Sequence, residues 1–290
     1  MNRQKALLIL TIITEQNLIM NDYISDHFWT KDEDTAYLKD FADENVYLEM
    51  PLVNLIYRML DMAADGLPLT KVGNPTIAVI EELYPLGPKD YYWENFPRKK
   101  MTLSAIPQMA IIWDYLKYAN LFRKYKGTLR LTRLGKEMKG HPKRLAHYLF
   151  YYTQEMANTS LMDSCEFKSF NNALNHVAVL LDTYGNEFRS VEFYAAKYSE
   201  VEADFAFFYE ISDALYFNLA VSCFNIRIME RFFNWMGFVE MIRSHYDKEQ
   251  KKYILEQYKI SPLFRKLIGI NRPESKEVIP IWINNPSMMN

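Results

Sequence analysis

Positively charged side chains are concentrated in one stretch of this 290-residue chain. Residues 98–144 contain 13 Lys or Arg and two Asp or Glu, a net charge of +11, whereas residues 1–97 carry −9 and residues 145–290 carry −4. A concentrated basic patch is typical of contact with the phosphates of nucleic acid. The candidate phosphate-binding residues are Arg98, Lys99, Lys100, Arg123, Lys124, Lys126, Arg130 and Arg133.

Aromatic residues precede the first basic cluster, and the helix predicted behind them offers one base-reading residue. The aromatic residues, whose rings could stack on bases, are Tyr91, Tyr92, Trp93 and Phe96. Gln108 lies near the start of that helix, where glutamine can read a base edge. The remaining exposed side is predicted to present Asp114, Tyr115 and Lys117, with no arginine. This composition disfavours sequence-specific recognition of DNA.

Two kinds of partner remain open for the basic stretch. Basic hairpins also form salt bridges, and the acidic residues of segment 1–97 provide intramolecular partners. The chain is therefore either a nucleic-acid-associated protein or a module for protein interaction or self-association without nucleic-acid contact. The total charge of −2 excludes only a uniformly basic surface.

The sequence contains no familiar motif for catalysis or for metal or cofactor binding. HExxH, Walker A, GxSxG and GxGxxG are absent, and no two of the five histidines are four residues apart. We therefore predict a non-enzymatic protein without catalytic residue, metal or cofactor. Cys165 and Cys223 have no CxxC spacing, which indicates a reduced, cytoplasmic protein. Residues 4–20 are predicted to form an amphipathic helix, and no apolar run predicts a membrane span.

Sparse glycines separate long stretches of helical periodicity, which predicts a mainly α protein. Residues 51–65 place apolar side chains on one stripe that ends at Gly66, so a helix is predicted there. Asn74 is predicted to cap a second helix with Pro75 at its first position. A third helix is predicted over residues 104–118.

Residues 121–132 change to the two-residue period of β-strands, with a tight Lys126-Gly127 turn between two short strands. Leu129 and Leu131 are predicted to face the core, and Arg130 the opposite side. The complete order is helix, short strand, helix, helix, strand, strand and helix. This order is that of a winged helix, in which the hairpin is the wing.

Two sequence segments resemble winged-helix-type regions of bacterial plasmid- and transposon-associated proteins: LTKVGN at 69–74 and NLFRKYKGTLRLTRLGKEMK at 120–139. The resemblance covers about residues 50–140 and implies architecture only, because those proteins have no activity to carry over. An ending with Leu-Thr-x-x-Gly-Lys is widespread among winged-helix proteins, and its Thr132 is predicted to cap the next helix. Residues 85–102 form an aromatic and basic insertion where a DNA-binding winged helix has a short turn.

A fainter copy of the same order follows over residues 225–268. At an offset of 117, apolar residues correspond as Ile112 with Met229, Leu116 with Phe233 and Ala119 with Met236. We therefore predict a mainly α fold with small β-hairpins, in which two winged-helix-like modules are joined by an α-helical segment. The predicted parts are an acidic helical entry (1–49), the first module with its insertion (50–144), the α-helical segment (145–220) and the second module (221–290).

Overall fold

The computed structural model describes residues 35–157, 163, 170, 173–202, 205–206, 209, 219–247 and 252–271. Ala36–Ile270 forms one compact unit. The helix predicted at 4–20 and the end of the predicted second module, after residue 271, lie outside the described residues. The described part of the predicted helical entry contains a short strand and one 3-10 helix.

The fold is mainly α with small antiparallel sheets, which confirms the predicted class at this level. The α-helices are α1 (Pro51–Asp65), α2 (Ile77–Leu83), α3 (Tyr91–Asn95), α4 (Pro107–Tyr118), α5 (Arg133–Met138), α6 (Pro142–Ala157), α7 (Ala173–Tyr184), α8 (Val191–Ser199), α9 (Leu219–Phe224) and α10 (Pro262–Leu267). A π-helical segment, Asn225–Asn234, continues α9. The 3-10 helices are Glu44–Glu49, Tyr84–Leu86 and Leu103–Ala105.

Ten short strands accompany these helices in the described residues. They are β1 (Thr35–Leu38), β2 (Leu67–Pro68), β3 (Phe122–Tyr125), β4 (Thr128–Leu131), β5 (Arg189–Ser190), β6 (Val239–Ile242), β7 (His245–Asp247), β8 (Lys252–Ile254), β9 (Gln257–Ile260) and β10 (Ile268–Asn271). Strands β2, β4 and β3, in this order, form the first sheet, and β5, β9 and β6 form the second sheet. The remaining pairs are β1 with β10 and β7 with β8.

Helix α1 has the predicted bounds, whereas α2 begins two residues later than predicted. Asn74 does not cap it, because the backbone of this residue closes a turn with Thr70. The N–H of Thr70 donates to the Asn74 carbonyl at 2.8 Å, and the N–H of Asn74 donates to the Thr70 hydroxyl at 3.2 Å. Pro75 pairs in an isolated bridge. The helix therefore starts at Ile77, with Thr76 in the N-cap position.

Helix α4 begins at Pro107, three residues after the predicted start. Ile106 has φ −125° and ψ 86°, outside the helical region, because a residue that precedes proline avoids helical dihedrals. Leu103–Ala105 forms a separate 3-10 helix in front of it. The proline thus occupies the first helical position, where its missing N–H costs no hydrogen bond.

The second sheet repeats the strand order of the first sheet. Its outer strand β5 lies inside the predicted α-helical segment 145–220, so that part of the chain also supplies a strand. The extra pair β7 and β8 lengthens the connection between β6 and β9. The first hairpin has no such extension, because β3 and β4 are joined by two residues.

Both sheets are joined to the preceding helix by the same hydrogen-bonded corner. Asn120 (φ 52°) and Gly237 (φ 76°), which are 117 residues apart, end the preceding helical stretches in left-handed backbone conformations. Thr132 and Ser261 donate their hydroxyl protons to these two carbonyls, each at 2.6 Å. Each hydroxyl also accepts the N–H three residues further on, at 3.0 and 3.2 Å. Both residues are therefore helix N-caps, which the sequence predicts for Thr132.

Aromatic side chains fill the core where α4, α6 and the π-helical segment meet. Trp235 is fully buried and packs edge-to-face on Tyr115, with ring centroids 5.8 Å apart. Phe150 of α6 packs in the same way on Phe232, at 4.9 Å. Because Leu52 of α1 also donates its N–H to the carbonyl of Trp235 at 3.0 Å, this core ties the start of α1 to the π-helical segment.

Candidate nucleic-acid interface

The basic hairpin, residues 122–131, consists of β3, β4 and their turn. Lys126 (φ 45°) and Gly127 (φ 74°) both have positive φ, which is the requirement of a type I′ hairpin turn. Leu129 and Leu131 are buried beneath the hairpin. Because side chains alternate along a strand, Arg130 lies on the opposite, outer face. The structure thus places the hairpin and its inner and outer residues where the sequence predicts them.

Two arginines lie directly opposite each other on the outer face. Arg123 of β3 is the cross-strand partner of Arg130 of β4. A Cβ atom added to Gly66 would lie 3.1 Å from Nη2 of Arg130, so this guanidinium occupies space that a side chain would fill. Its Nε is buried without a hydrogen-bond partner in the described part of the chain. Like charges directly opposite are unfavourable, so the pair does not stabilise the sheet.

Tyr125 shares this outer face and is flanked by two cations. The guanidinium of Arg123 lies 5.8 Å from the centre of the Tyr125 ring, and the ammonium of Lys126 lies 5.3 Å from it. The tyrosine is 47% exposed. An exposed ring between two cations can stack on a base while the cations hold phosphates.

Five of the nine cations of the basic stretch outside the hairpin are paired with carboxylates in the described residues. The pairs are Lys139 with Asp61 at 3.6 Å, Lys143 with Asp40 at 2.8 Å, Arg144 with Glu137 at 3.5 Å, Arg133 with Glu137 at 3.1 Å and Lys117 with Asp114. The hydrogen bond from Lys143 lowers the pKa of Asp40. Within residues 35–97, Asp40 and Asp61 therefore pair with two members of the stretch, which is the kind of contact that the interaction hypothesis expects.

The hairpin cations differ from these neighbours. Within the described ranges, none of the following has a carboxylate partner: Arg123, Lys124, Lys126 and Arg130. Lys136, just beyond the hairpin, also has none there, and it lines a shallow depression with Arg123 and Arg133. Arg133 is 90% exposed at its side chain, although it contacts Glu137. Among the described residues of the basic stretch, the uncompensated positive charge thus lies on and beside the hairpin and at Arg98, Lys99 and Lys100 of the insertion.

The insertion is anchored to the start of α4 by a buried carboxylate. Asp90 accepts the N–H of Trp93 at 2.9 Å and the N–H of Gln108 at 2.7 Å. Its own N–H donates to the hydroxyl of Tyr84, at 3.0 Å. Three aromatic rings remain exposed on this anchored loop, namely Tyr91 (43%), Tyr92 (63%) and Phe96 (68%). The exposed basic residues Arg98, Lys99 and Lys100 follow.

Helix α4 is covered on two sides and is poorly suited to enter a DNA groove. The prediction that Tyr115 is exposed is wrong, since it is 3% exposed and donates to or accepts from the Thr153 hydroxyl at 2.7 Å. Burial raises the pKa of Tyr115 well above its ordinary value. Trp113 is buried and lines a cleft together with Phe122 and Leu129 of the first sheet. Gln108 is half-buried in the first turn, so the structure brings it next to Asp90 rather than to the hairpin cations.

Two features of this surface are missing from the sequence-based prediction. Tyr125 follows Arg123 by two residues, and this spacing alone places both side chains on one face of a strand. Gly66, beside Arg130, could not be found in this way, because β2 and β4 are more than 60 residues apart in the chain. Short-range periodicity therefore identifies the outer face of the hairpin, whereas the pairing of β2 with β4 depends on tertiary contacts.

Comparisons with known proteins leave the geometry as the main evidence. No family model matches the chain, and neither a curated protein nor a solved structure matches it. Within the described residues, no group of three His, Cys, Asp or Glu side chains is arranged to hold a metal ion. In the same residues, no helix has the length and apolar character needed to span a membrane.

Proposed function

We propose that the chain is a non-enzymatic, cytoplasmic protein that binds nucleic acid through the basic hairpin of a winged-helix-like module at residues 50–144. The element order and the strand order β2, β4 and β3 support this architecture. The second sheet has the same strand order and corner, which supports a second winged-helix-like module. In this proposal the two modules have different tasks, because among the described residues the unpaired basic face lies on the first module.

The observation that carries the proposal is the outer face of the hairpin. Arg123 and Arg130 lie directly opposite each other, and neither has a carboxylate partner in the described part of the chain. A phosphate oxygen between two guanidinium groups would turn this repulsion into charge-assisted hydrogen bonding. Arginine is suited to this contact because its planar group donates two parallel hydrogen bonds.

The proposed contact is with the nucleic-acid backbone rather than with base edges. Helix α4 is packed between the first sheet and the aromatic core, and its exposed positions include Asp114 and Tyr118. Phosphate contacts position a protein on nucleic acid without reading its sequence. We therefore expect similar affinity for duplexes of unrelated sequence and a strong dependence on salt.

Fluorescence anisotropy with a labelled DNA duplex tests the proposal. Arg123→Ala combined with Lys126→Ala is expected to weaken binding at least about tenfold, because each hydrogen bond between charged groups contributes roughly 1.5–3 kcal/mol. The matched control combines Lys259→Ala with Lys266→Ala, which removes two cations held by Glu240 and Glu49. Equal losses for both double variants, or no binding by the unaltered chain, would contradict the proposal.

Protein interaction is the second candidate function, and the insertion favours it. Tyr92 and Phe96 are more than 60% exposed, on a loop whose base is fixed by Asp90. Exposed aromatic rings are typical anchors of protein interfaces. Analytical ultracentrifugation of the chain and of its Tyr92→Ser/Phe96→Ser variant tests self-association. A concentration-dependent dimer that the variant loses, together with absent DNA binding, would favour this function.

A further inference from the structure

A small apolar cleft lies beneath the basic hairpin, on the face opposite the two arginines. Its volume is about 250 Å³. Its apolar walls are Met59, Trp113, Leu116, Phe122 and Leu129. Helices α1 and α4 supply the first three residues, and the inner face of the hairpin supplies the other two. The cleft is therefore built from three separate elements around an apolar interior.

One cation of the hairpin belongs to this cleft. Lys124 pairs across the strands with Leu129, so both side chains lie on the inner face. Arg123, the adjacent residue, lies on the outer face because side chains alternate. The ammonium of Lys124 has no carboxylate partner in the described residues, and it lies 2.7 Å from the point that a Cβ on Gly73 would occupy. The cleft thus combines apolar walls with one available positive charge.

Two further groups define the chemistry of the cleft. Lys117 also lines it, but its ammonium contacts the carboxylate of Asp114 in an exposed pair. The indole N–H of Trp113 is buried and has no hydrogen-bond acceptor within the described ranges. Because Lys117 is already paired, Lys124 is the group best placed to hold an anion. The apolar walls of the cleft suit a ligand in which this anionic group is attached to an apolar body.

We propose that this cleft binds a small carboxylate whose apolar body is one ring or a short acyl chain, with Lys124 holding the carboxylate. An apolar cavity of about 150 Å³ holds one benzene ring, and sites for drug-sized ligands begin at about 300 Å³. The observed volume lies between these values and fits a single ring with its acid group. The site does not depend on nucleic-acid binding, because it lies on the other face of the hairpin.

Methyl NMR of the chain with ¹³C-labelled methionine tests this site, with phenylacetate as the probe. The Met59 signal, assigned from its loss in Met59→Leu, is expected to shift in a saturable way. Lys124→Met should weaken phenylacetate binding about tenfold, because the charge-assisted hydrogen bond is removed. Phenylacetamide, which carries no charge, should bind the unaltered chain and Lys124→Met equally.

Arg123→Met is the matched control, since it removes a charge from the adjacent residue on the outer face. It should leave phenylacetate binding unchanged while it weakens DNA binding, so the two proposals fail separately. Leu116→Trp, which fills the cleft, should abolish the shift of Met59 if the variant folds. No saturable shift up to about 10 mM phenylacetate would overturn the proposal, because even a weak fragment registers there. Equal weakening by Lys124→Met and Arg123→Met would also overturn it.

Discussion

The first and second sheets share a backbone plan but carry different charges at the same position. Arg123 lies opposite Arg130 in the first sheet, whereas Glu240 lies opposite Lys259 in the second. The latter two side chains form an ion pair at 2.9 Å. Both pairs are the second pair from the corner closed by Thr132 or Ser261. The same arrangement of strands therefore accommodates a like-charged pair in one sheet and an oppositely charged pair in the other.

This difference separates the charges that serve the fold from those available to a partner. Arg227, in the π-helical segment that precedes the second sheet, is fully buried and donates two hydrogen bonds of 2.7 Å to Asp163. Glu240 and Lys259 neutralise each other at the surface. In the first sheet, by contrast, Arg123 is exposed and Arg130 is half-buried, and neither has a carboxylate partner in the described residues. The comparison thus explains why the nucleic-acid proposal concerns only the first sheet.

The largest expected effect on stability comes from the buried ion pair between Arg227 and Asp163. Asp163→Asn should lower the free energy of unfolding by about 3–5 kcal/mol, because a buried guanidinium loses its carboxylate. Urea denaturation followed by circular dichroism measures this change. Asp114→Asn, which alters an exposed pair with Lys117, is the control and should change stability by less than about 1 kcal/mol. Similar changes for both variants would show that the Asp163 pair is not structural.

The two corners should contribute equally to stability. Thr132→Ala and Ser261→Ala should each lower the free energy of unfolding by about 0.5–2 kcal/mol, because each removes a helix N-cap. Denaturation measurements on both variants test this, with the exposed Ser104→Ala as a control expected to stay within about 0.5 kcal/mol. A large loss at one corner and none at the other would break the structural parallel between the sheets.

Charge exchange between the sheets should reverse their electrostatics. Arg123→Glu creates an opposite-charge pair with Arg130 and should stabilise the chain by about 0.2–1 kcal/mol. Glu240→Arg creates a like-charge pair with Lys259 and should destabilise it by a similar amount. Thermal denaturation at low and high salt measures both changes, which should shrink as salt screens the charges. Changes of the same sign in the two variants would contradict the assigned cross-strand contacts.

The smallest expected effect on stability concerns Glu230. At the offset of 117 residues that relates the two predicted modules, Glu230 corresponds to Trp113. Burial raises the pKa of Glu230 above its ordinary value by more than the nearby Arg243 lowers it, so the charged form destabilises the fold at neutral pH even with this ion pair. This cost disappears as pH falls through the raised pKa and the carboxyl becomes protonated. Glu230→Gln should therefore be more stable than the unaltered chain at pH 7, and the difference should vanish below the ordinary pKa of 4.5. A difference that grows on acidification would contradict this assignment.

Local patterns predict the hairpin well, because its information lies within a dozen residues. The alternation around Leu129 and Leu131 and the Lys126-Gly127 turn are sufficient to place both strands. The predicted exposure of Tyr115 is wrong, because helical periodicity does not reveal a second packing partner such as Trp235. Strand β5, with two residues, is too short to show a period and is not predicted, whereas the short strand predicted after the first helix corresponds to β2.

The candidate site depends on both kinds of information. The positions of Arg123 and Arg130 on one face follow from strand alternation. Which cations are paired does not follow from the sequence, because Lys143 and Lys139 reach carboxylates about 100 and 80 residues away, at Asp40 and Asp61. Tertiary contacts therefore divide the basic stretch into a paired part and an available part.

The salt dependence of DNA binding tests the central claim most directly. Log Kd plotted against log salt concentration gives the number of phosphates neutralised, with about 0.9 in slope for each contact on a duplex. Arg123→Ala/Lys126→Ala should reduce the slope by about two contacts, and Lys259→Ala/Lys266→Ala should leave it unchanged. A slope that stays the same without Arg123 and Lys126, or that falls equally in both variants, would show that the basic hairpin does not contact phosphates.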